Sequence, residues 1–298
     1  MKASQRQTTE KAMRSLFFCV ATASIAILTM IMVFLFMEGL PVFKVTSVKD
    51  FLFGHYWYPT SDPPDFGIYP LIIASLSVTL LASAIAIPLG VMTAIYLAEL
   101  ASKRVAEIVK PVVELLAALP SVVIGFFGMV VVAPFLQAVF DMPTGLNLFN
   151  SALMLAFMSI PTICSISEDS IYSVPDALRE GSLALGATQW ETIIRVVLPA
   201  SISGISTSII LGMSRAIGET MVVLMVAGGA AMIPGSIFDP VRPMPASIAA
   251  EMAEAPFRGD HYYALFATGI VLFIFTLVFN IIADFISHRY RQVGEASL

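Results

Sequence analysis

The chain has 298 residues, of which 58% are apolar and only 12% are charged. An ordinary soluble domain is about 45–50% apolar and about 25% charged. A soluble fold of this length still exposes roughly a quarter of the surface of its unfolded chain, so it cannot hide this apolar excess from water. The formal net charge of -5 and the lack of any block of basic residues exclude a nucleic-acid binder. The composition excludes a soluble enzyme and a disordered chain and predicts a multispanning membrane protein.

Apolar windows along the chain predict an all-α polytopic protein with six transmembrane helices. A hydrocarbon core of about 30 Å takes roughly 20 helical residues to cross. The predicted spans cover residues 15–37, 68–98, 111–140, 151–167, 201–233 and 264–287. The fourth window is short, and its Pro161 can be tolerated where neighbouring helices satisfy the freed carbonyl. The first window has 23 residues and exceeds the 7–15 of a signal-peptide core, so we predict a retained span.

The distribution of lysine and arginine predicts the orientation. The N-terminal tail, residues 99–110, residues 168–200 and the C-terminal tail hold eleven of the sixteen basic residues, and the opposite loops hold four. Basic residues collect on the cytoplasmic side of membrane proteins. We therefore predict a multi-pass protein of the cytoplasmic membrane with both termini in the cytoplasm. Five spans would move the C-terminal tail to the other side and weaken the bias.

The segment 168–200 predicts a helix-turn-helix elbow on the cytoplasmic surface. Pro175 and Asp176 suit the first turn of a helix, and Gly186 suits its end. Residues 188–191 have the T-x-x-E spacing of a capping box that opens a second helix. A plain amphipathic connector lying on the bilayer is the simpler alternative.

The end of this segment leads into the next span, which we expect to start at Pro199. Apolar side chains of the elbow are available as a docking surface for another protein. They are Leu183, Leu185, Trp190, Ile193 and Ile194.

Two charged residues, Arg215 and Glu219, lie inside the window 201–233. They are four residues apart, a spacing that places both on one face of a helix. Each charge costs roughly 2.5–3.5 kcal/mol at the centre of a bilayer, so both should face protein or water. One alternative is a structural ion pair that only sets the rotation of the helix. We favour an anion pathway, because the guanidinium of Arg215 matches the oxygens of phosphate or carboxylate.

Glu219 bears on which anion is selected. A carboxylate repels a fully deprotonated oxyanion such as sulfate, whereas it can accept a hydrogen bond from the P–OH of hydrogen phosphate.

A strip of small residues runs beside the two charges and allows another helix to approach closely. It consists of Gly204, Ser208, Gly212 and Ala216.

The elbow resembles the coupling loop of permeases of binding-protein-dependent ABC importers. In that family the letters E-A-A are followed by Gly and then by I-x-L-P. Here the motif begins at Glu180, Gly181 and Ser182 replace the alanines, and Val196 replaces the isoleucine. The resemblance implies that the elbow inserts into a cleft of a cytoplasmic ATPase subunit. The matching positions are Glu180, Gly181, Ser182, Gly186, Leu198 and Pro199.

Residues 212–221 resemble the G-x-x-R-A-x-G-E-T pattern of permeases of phosphate-specific ABC importers. Residues 114–121 and 247–254 match the same family, and together they resemble its C-type subunit more than its A-type partner. The resemblance implies a type I ABC importer permease (MetI-like) fold over residues 68–298, with the coupling loop at 168–200. Residues 1–67 then form an N-terminal tail, the first span and an outer loop.

The resemblance implies that Arg215 and Glu219, with the adjacent Thr220, line a phosphate path. We add the hypothesis that Pro120 breaks the third helix and leaves Ser121 at the start of a half-helix that faces the anion. A kink that serves only packing is the alternative.

The resemblance also implies the partners of the chain in the inner membrane. They are a homologous A-type permease in a heterodimer, two cytoplasmic ATP-binding subunits and an extracytoplasmic phosphate-binding protein. The binding protein would meet the outer loops 38–67 and 234–263. This chain would bind no cofactor, since ATP and Mg²⁺ belong to the partner ATPase.

Motifs for an enzyme are missing from the sequence. No lysine ends a G-K-[ST] phosphate loop, and no G-x-S-x-G elbow occurs. His55, His261 and His288 are isolated, so we expect interfacial or loop positions and no metal site. Cys19 and Cys164 lie in apolar windows and indicate no disulfide. The sequence predicts a transport subunit whose ATP is hydrolysed on another chain.

Three aromatic residues, Trp57, Tyr262 and Tyr263, are expected to be anchors at the level of the lipid headgroups.

Two alternative functions stay open. The first is a permease of the same family for another oxyanion, such as sulfate or molybdate. The second is an ATP-independent secondary anion transporter, against which the spacing of the coupling loop argues.

Overall fold

A computed structural model describes the backbone of residues 2–295 and the side chains of residues 10, 11, 13–282, 284 and 285. Its helices are α1 (Lys2–Gly39), α2 (Val48–Phe53), α3 (Tyr69–Ile95), α4 (Lys103–Ala117), α5 (Ser121–Phe127), α6 (Ala133–Phe140), α7 (Leu148–Tyr172), α8 (Asp176–Ala184), α9 (Gln189–Thr192), α10 (Leu198–Ile217), α11 (Met221–Val226), α12 (Met244–Glu251) and α13 (Asp260–Glu295). Strands β1 (Trp57–Tyr58) and β2 (Asp65–Phe66) pair antiparallel in the first outer loop. Side chains on which earlier predictions rest, those of Lys2, Arg6, His288, Arg289 and Arg291, lie outside the described residues.

Six helical stretches of the described chain are long and apolar enough to cross a membrane, as predicted. Spans 1 to 6 are Met13–Lys44, Tyr69–Leu100, Ser121–Phe140, Leu148–Tyr172, Gln189–Ile217 and Asp260–Ile282. In a chain with six crossings, the start of span 1 and the end of span 6 belong to the face that carries α8 and α9, which we call the elbow face. The opposite face is called the outer face.

Several of the predicted span boundaries are wrong, and for spans 3, 4 and 5 the structure shows the reason. The window 111–140 is divided at Pro120, which has no N–H and disfavours helix in the residue before it, so span 3 begins only at Ser121. The preceding α4 is a separate amphipathic helix with no buried residue. Span 4 is longer than predicted at both ends, because Asn147 caps its start and Glu168 is neutralised by Lys110 near its end.

Both boundaries of span 5 also differ from the prediction, since the span covers Gln189–Ile217 rather than 201–233. Pro199 does not start it, because the helix continues through a π-helical turn at Ile193–Val197. Another π-helical turn, Gly128–Val132, precedes Pro134 in the same way. A proline ring clashes with the carbonyl four residues earlier, and the wider turn accommodates it. Both helices therefore pass their prolines without breaking.

Helix α7 is the centre of the bundle and packs between α3 and α10. The predicted small-residue strip of α10 faces α7, where missing side chains let the two helices approach. A Cβ placed on Gly212 would lie 2.6 Å from Cγ1 of Ile163, and the hydroxyls of Ser208 and Ser167 are 2.6 Å apart. Gly204 packs in the same way against Ser170. The strip is therefore the interface between spans 4 and 5.

One carboxylate, that of Glu251, joins four segments of the outer face. It accepts hydrogen bonds from Nε1 of Trp57 at 3.0 Å and from Oγ of Ser247 at 3.2 Å, and it pairs with Arg242 and with Nε2 of His261 at 2.8 Å. Trp57 is only 3% exposed. The expectation of a headgroup anchor at Trp57 is therefore wrong, because the buried indole N–H finds an acceptor inside the protein.

Candidate substrate pathway and coupling elbow

Arg215 lies in the last turn of α10, near the middle of the bundle. Its depth in the bundle is shown by its neighbour Thr162, which lies near the middle of α7 as the fifteenth of 25 residues. A long side chain on a helix leans toward the N-terminal end of that helix. Arg215 thus reaches back from the end of α10 toward the centre of span 4.

The guanidinium of Arg215 contacts two neutral oxygens. Nη1 donates to Oγ1 of Thr162 at 3.4 Å, and Nη2 donates to the carbonyl of Ala117 at 3.5 Å. Both contacts are longer than the usual 2.9–3.0 Å of a hydrogen bond. Ala117 ends α4, and the carbonyls at the end of a helix carry partial negative charge. The charge is therefore stabilised by a helix end and a hydroxyl.

An ion pair between Arg215 and Glu219 is not formed. No carboxylate within the described part of the chain lies within 4.0 Å of the Arg215 guanidinium. The prediction that both residues share one helix face is wrong, because α10 ends at Ile217 and Gly218 caps it. The alternative of an ion pair that sets helix rotation thus has no support in the structure.

Glu219 instead caps the short helix α11. Its Oε1 accepts hydrogen bonds from the backbone N–H groups of Met221 at 3.1 Å and Val222 at 3.3 Å. These are among the N–H groups that a helix start leaves without partners, and a carboxylate there also faces the positive end of the helix dipole. Thr220 donates to the carbonyl of Gly218 at 3.4 Å. The capping ends the helical path of span 5 before Glu219.

Helices α5 and α11 pack side by side in the same direction. A Cβ on Gly125 would lie 3.3 Å from Cα of Val222, and one on Gly128 would lie 2.8 Å from Cγ1 of Val226. The parallel register places the start of α5, at Ser121, level with the residues that directly precede α11, which include Glu219 and Thr220. The predicted break at Pro120 is confirmed, and the half-buried Ser121 begins span 3.

The elbow has the predicted local structure. Helix α8 begins at Asp176, and Gly186 follows its end with φ +88°, a conformation that costs glycine little. Both bonds of the predicted capping box are formed, between Thr188 and Glu191. Oγ of Ser182 lies 2.9 Å from Oγ1 of Thr192 and ties the two short helices together.

The elbow projects most of the predicted ATPase-facing residues outward, although Ser182 is half-buried. Glu180, Gly181 and Gly186 are exposed, as are four of the apolar residues, Leu183, Leu185, Trp190 and Ile194. Leu185 is 91% exposed. Ile193 was expected in this docking surface and is buried at 1% exposure, because the turn that contains it faces the bundle. Leu198 is half-buried and Pro199 exposed on the helix that follows.

Sequence reasoning missed the residue that fastens the elbow to the bundle, Arg179. Its guanidinium pairs with Glu99 at 2.8 Å and donates to the carbonyls of Ile171 at 2.9 Å and Val174 at 2.8 Å. The carbonyl of Ile171 belongs to the last turn of α7, where a helix leaves carbonyls without intrahelical partners, and Val174 follows the end of that helix. The sequence signal that could have indicated this contact is Glu99, a lone carboxylate at the end of the apolar span 2, which needs a basic partner.

A second ionic contact holds α4 against span 4. Lys110 pairs with the nearly buried Glu168 and, at 2.9 Å, with Asp169. The hydrogen bond to Glu168 and then that to Asp169 raise the pKa of Lys110 above its ordinary value, although burial opposes them. Lys110 therefore stays charged at physiological pH, and the amphipathic helix that ends at Ala117 is fixed beneath Arg215.

The bundle, its small-residue interface and the projecting elbow define a transport permease subunit. The family model of the binding-protein-dependent transport system inner membrane component matches residues 86–292. The chain belongs to this family, whose members are transport subunits of the membrane rather than enzymes.

Curated relatives cover most of the chain. The Bacillus subtilis (strain 168) protein named Probable ABC transporter permease protein YqgH is 37% identical over 96% of this chain and 93% of its own length. The phosphate transport system permease protein PstC of Mesorhizobium japonicum is 36% identical over 80% of this chain and 78% of its own. PstC of Haemophilus influenzae is 32% identical over 91% and 92%.

Solved structures share the fold. The methionine ABC transporter MetNI, in inward-facing conformations, aligns with a TM-score of 0.58 and 17% identity over 73% of this chain and 93% of that chain. A bacterial alginate ABC transporter, in complex with an alginate-pentasaccharide-bound periplasmic protein, aligns with a TM-score of 0.58 and 17% identity over 91% and 94%. The predicted MetI-like permease fold is confirmed.

Proposed function

We propose that this chain is one of two transmembrane subunits of an ATP-driven importer that moves inorganic phosphate across the cytoplasmic membrane. The observation that carries the proposal is the guanidinium of Arg215, which lies near the middle of the bundle and contacts only neutral oxygens among the described residues. A charge at this depth usually marks a substrate pathway or the partner of one. Relatives named as phosphate permeases, at 32–36% identity, support phosphate as the substrate.

The position of Glu219 supports phosphate, rather than a fully deprotonated oxyanion such as sulfate, as the substrate. Its Oε1 is used in capping α11, whereas Oε2 accepts no hydrogen bond from the residues that the structure describes. Oε2 is thus available to accept a hydrogen bond from P–OH, which sulfate cannot donate. Thr220 and Ser121 lie at the starts of the two parallel helices and complete the proposed pathway.

The proposed partners follow from the two faces of the molecule. A homologous permease forms the other half of the membrane channel, two ATP-binding subunits receive the elbow with Glu180 and Gly186, and an extracytoplasmic binding protein meets the outer loops. Both termini lie in the cytoplasm with the elbow. ATP and Mg²⁺ bind to the ATPase subunits, and closure of these subunits moves the elbow.

The movement reaches the pathway through contacts on the elbow face. Arg179 joins the elbow to Glu99, at the end of span 2, and the chain continues from there into α4. Helix α4 ends at the carbonyl that contacts Arg215. A displacement of the elbow is thereby passed to the guanidinium, which holds the anion by contacts weak enough to release it.

Reconstitution of the purified complex tests the proposal. We expect ATP-dependent uptake of phosphate into proteoliposomes and stimulation of ATPase activity by a phosphate-loaded binding protein. Sulfate or molybdate should stimulate neither. Stimulation by one of these anions in place of phosphate would show a permease for another oxyanion, and uptake without ATP would show a secondary transporter.

Substitution of Ser121 by alanine distinguishes a pathway role from a packing kink. We expect phosphate uptake to fall about tenfold, since one hydrogen bond to a charged group contributes about 1.5 kcal/mol or more. The rate of uptake per assembled complex in proteoliposomes measures this. Ser102→Ala is the control, because Ser102 is exposed and makes no capping bond. Unchanged uptake in Ser121→Ala would assign the break to packing alone.

Substitution of Leu185 by aspartate tests the docking surface of the elbow. Leu185 is 91% exposed, so the change should leave the fold of the permease intact. We expect a charged residue in an apolar contact to weaken ATPase binding at least about tenfold. Co-purification of the ATPase subunit with the permease measures the loss, and Leu185→Met is the control. Full recovery of ATPase with Leu185→Asp would remove Leu185 from the interface.

A further inference from the structure

The side chain of Thr162 is the closest hydroxyl contact of Arg215. Thr162 lies on α7, half-buried, and its Oγ1 accepts from Nη1 of Arg215 at 3.4 Å. The position is near the middle of span 4, where a polar side chain must find a partner inside the protein or a polar solute.

The hydroxyl hydrogen of Thr162 is not used by the helix. Other hydroxyls in the spans donate to the carbonyl four residues earlier, as Thr93 does to Leu89 at 2.7 Å and Thr268 does to Ala264 at 2.9 Å. Thr162 donates to no group among the residues that the structure describes. A hydroxyl has one donor besides its acceptor lone pairs, so this donor stays available.

Two kinds of donor are therefore adjacent at one place. The guanidinium has five N–H groups, and its contacts at 3.4 and 3.5 Å use two of them weakly. An anion oxygen can replace a long contact to a neutral oxygen and form a shorter, charge-assisted bond. The anion then lies within reach of the Thr162 hydroxyl, whose donor bonds to none of the described residues.

We propose that Thr162 is a second substrate-contacting residue, whose hydroxyl donates a hydrogen bond to an oxygen of the oxyanion that Arg215 binds. The proposal rests on the proposed function and adds to it. Because a hydroxyl donates equally well to any oxyanion oxygen, Thr162 contributes affinity. Discrimination between phosphate and sulfate is left to Glu219.

The test measures anion binding to the purified, full complex without its binding protein, by ³¹P NMR titration with inorganic phosphate. Thr162→Val keeps the shape of the side chain and removes the hydroxyl, and we expect the Kd to rise about tenfold. Thr162→Ser should stay within about twofold of the wild type, because it keeps the donor. Thr93→Val is the matched control, since its hydroxyl is bonded to the helix, and its Kd should not change.

Several outcomes would overturn the proposal. An unchanged Kd in Thr162→Val, or a Kd for Thr162→Ser as weak as that of Thr162→Val, would exclude a hydrogen bond from the hydroxyl to the anion. A lowered thermal midpoint of Thr162→Val with normal binding would show a structural role.

Failure of the proposed function gives a different result. If the wild-type complex binds radiolabelled sulfate rather than phosphate, the proposed substrate is wrong, and the same Thr162 series measured with sulfate decides the role of Thr162. If the wild type binds neither anion, both proposals fail. Phosphate binding that is lost in Arg215→Gln but unchanged in Thr162→Val would leave the proposed function standing and exclude Thr162.

Discussion

Replacing Arg215 by glutamine is expected to abolish phosphate uptake while the assembled complex stays intact. The substitution keeps hydrogen-bonding capacity toward Thr162 and Ala117 and removes the positive charge. Two charge-assisted hydrogen bonds to the anion, each about 1.5–3 kcal/mol, are lost, so transport should fall about 100-fold or more. Uptake in proteoliposomes measures the loss, and size-exclusion chromatography measures assembly.

Assembly should survive because Arg215 forms no ion pair with a carboxylate among the described residues, so its removal leaves no buried charge unpaired. Arg215→Lys retains the charge without the planar fork and should transport at an intermediate rate. Arg104→Gln, at an exposed position of α4, is the matched control and should transport normally. Normal uptake by Arg215→Gln would exclude Arg215 from the pathway.

Replacing Gly212 by leucine is expected to prevent stable packing of spans 4 and 5. Even a Cβ at this position would lie 2.6 Å from Cγ1 of Ile163, and a leucine side chain has no space between the helices. Overpacking costs about 3 kcal/mol, and separation of the helices also breaks the bond between Ser167 and Ser208. The thermal midpoint of the complex should fall by roughly 5–10 °C, as measured by size-exclusion chromatography after heating.

Two substitutions control for the change at Gly212. Gly212→Ala should be milder, because a single methyl group displaces Ile163 less than a whole leucine side chain does. Gly218→Leu adds the same side chain at the end of the same helix, where the nearest atom is the Ser214 carbonyl oxygen at 3.9 Å. Its thermal midpoint should equal that of the wild type. If Gly212→Leu is as stable as Gly218→Leu, close contact between the spans is not required.

Features that depend on neighbours in the chain could be predicted from the sequence. The elbow is the clearest case, since a capping box needs only Thr188 and Glu191 three residues apart, and a left-handed helix end needs only Gly186. The break at Pro120 follows from the missing N–H of proline. The small-residue strip with Gly212 followed from a four-residue period, although the partner helix did not.

Features that depend on a choice between two local partners could not be predicted. A spacing of four residues places Arg215 and Glu219 on one face only if the helix continues, and Glu219 instead caps α11. Pro199 reads as a helix start, yet a π-helical turn carries the helix past it. In both cases two hydrogen-bonding arrangements have similar local energies, and packing of the bundle decides between them.

Contacts between residues distant in sequence could not be predicted either. Trp57 is an ordinary interfacial residue by pattern, but it lies buried against Glu251, 194 positions away. Thr162 showed no motif, and its importance arises only from the guanidinium of Arg215, which lies 53 positions away. A single sequence carries no record of which distant side chains meet.

The sequence by itself determined the class of protein, the six spans, the elbow and the one basic residue that lies deep in a span, Arg215. These follow from the cost of placing apolar groups in water and charges in lipid, which are properties of each residue and its near neighbours. The tertiary structure alone decided that Arg215 has neutral partners, that Glu219 caps a separate helix and that the Thr162 hydroxyl donates to no described residue. These depend on which helices pack together, because hydrogen bonds act only over about 3 Å.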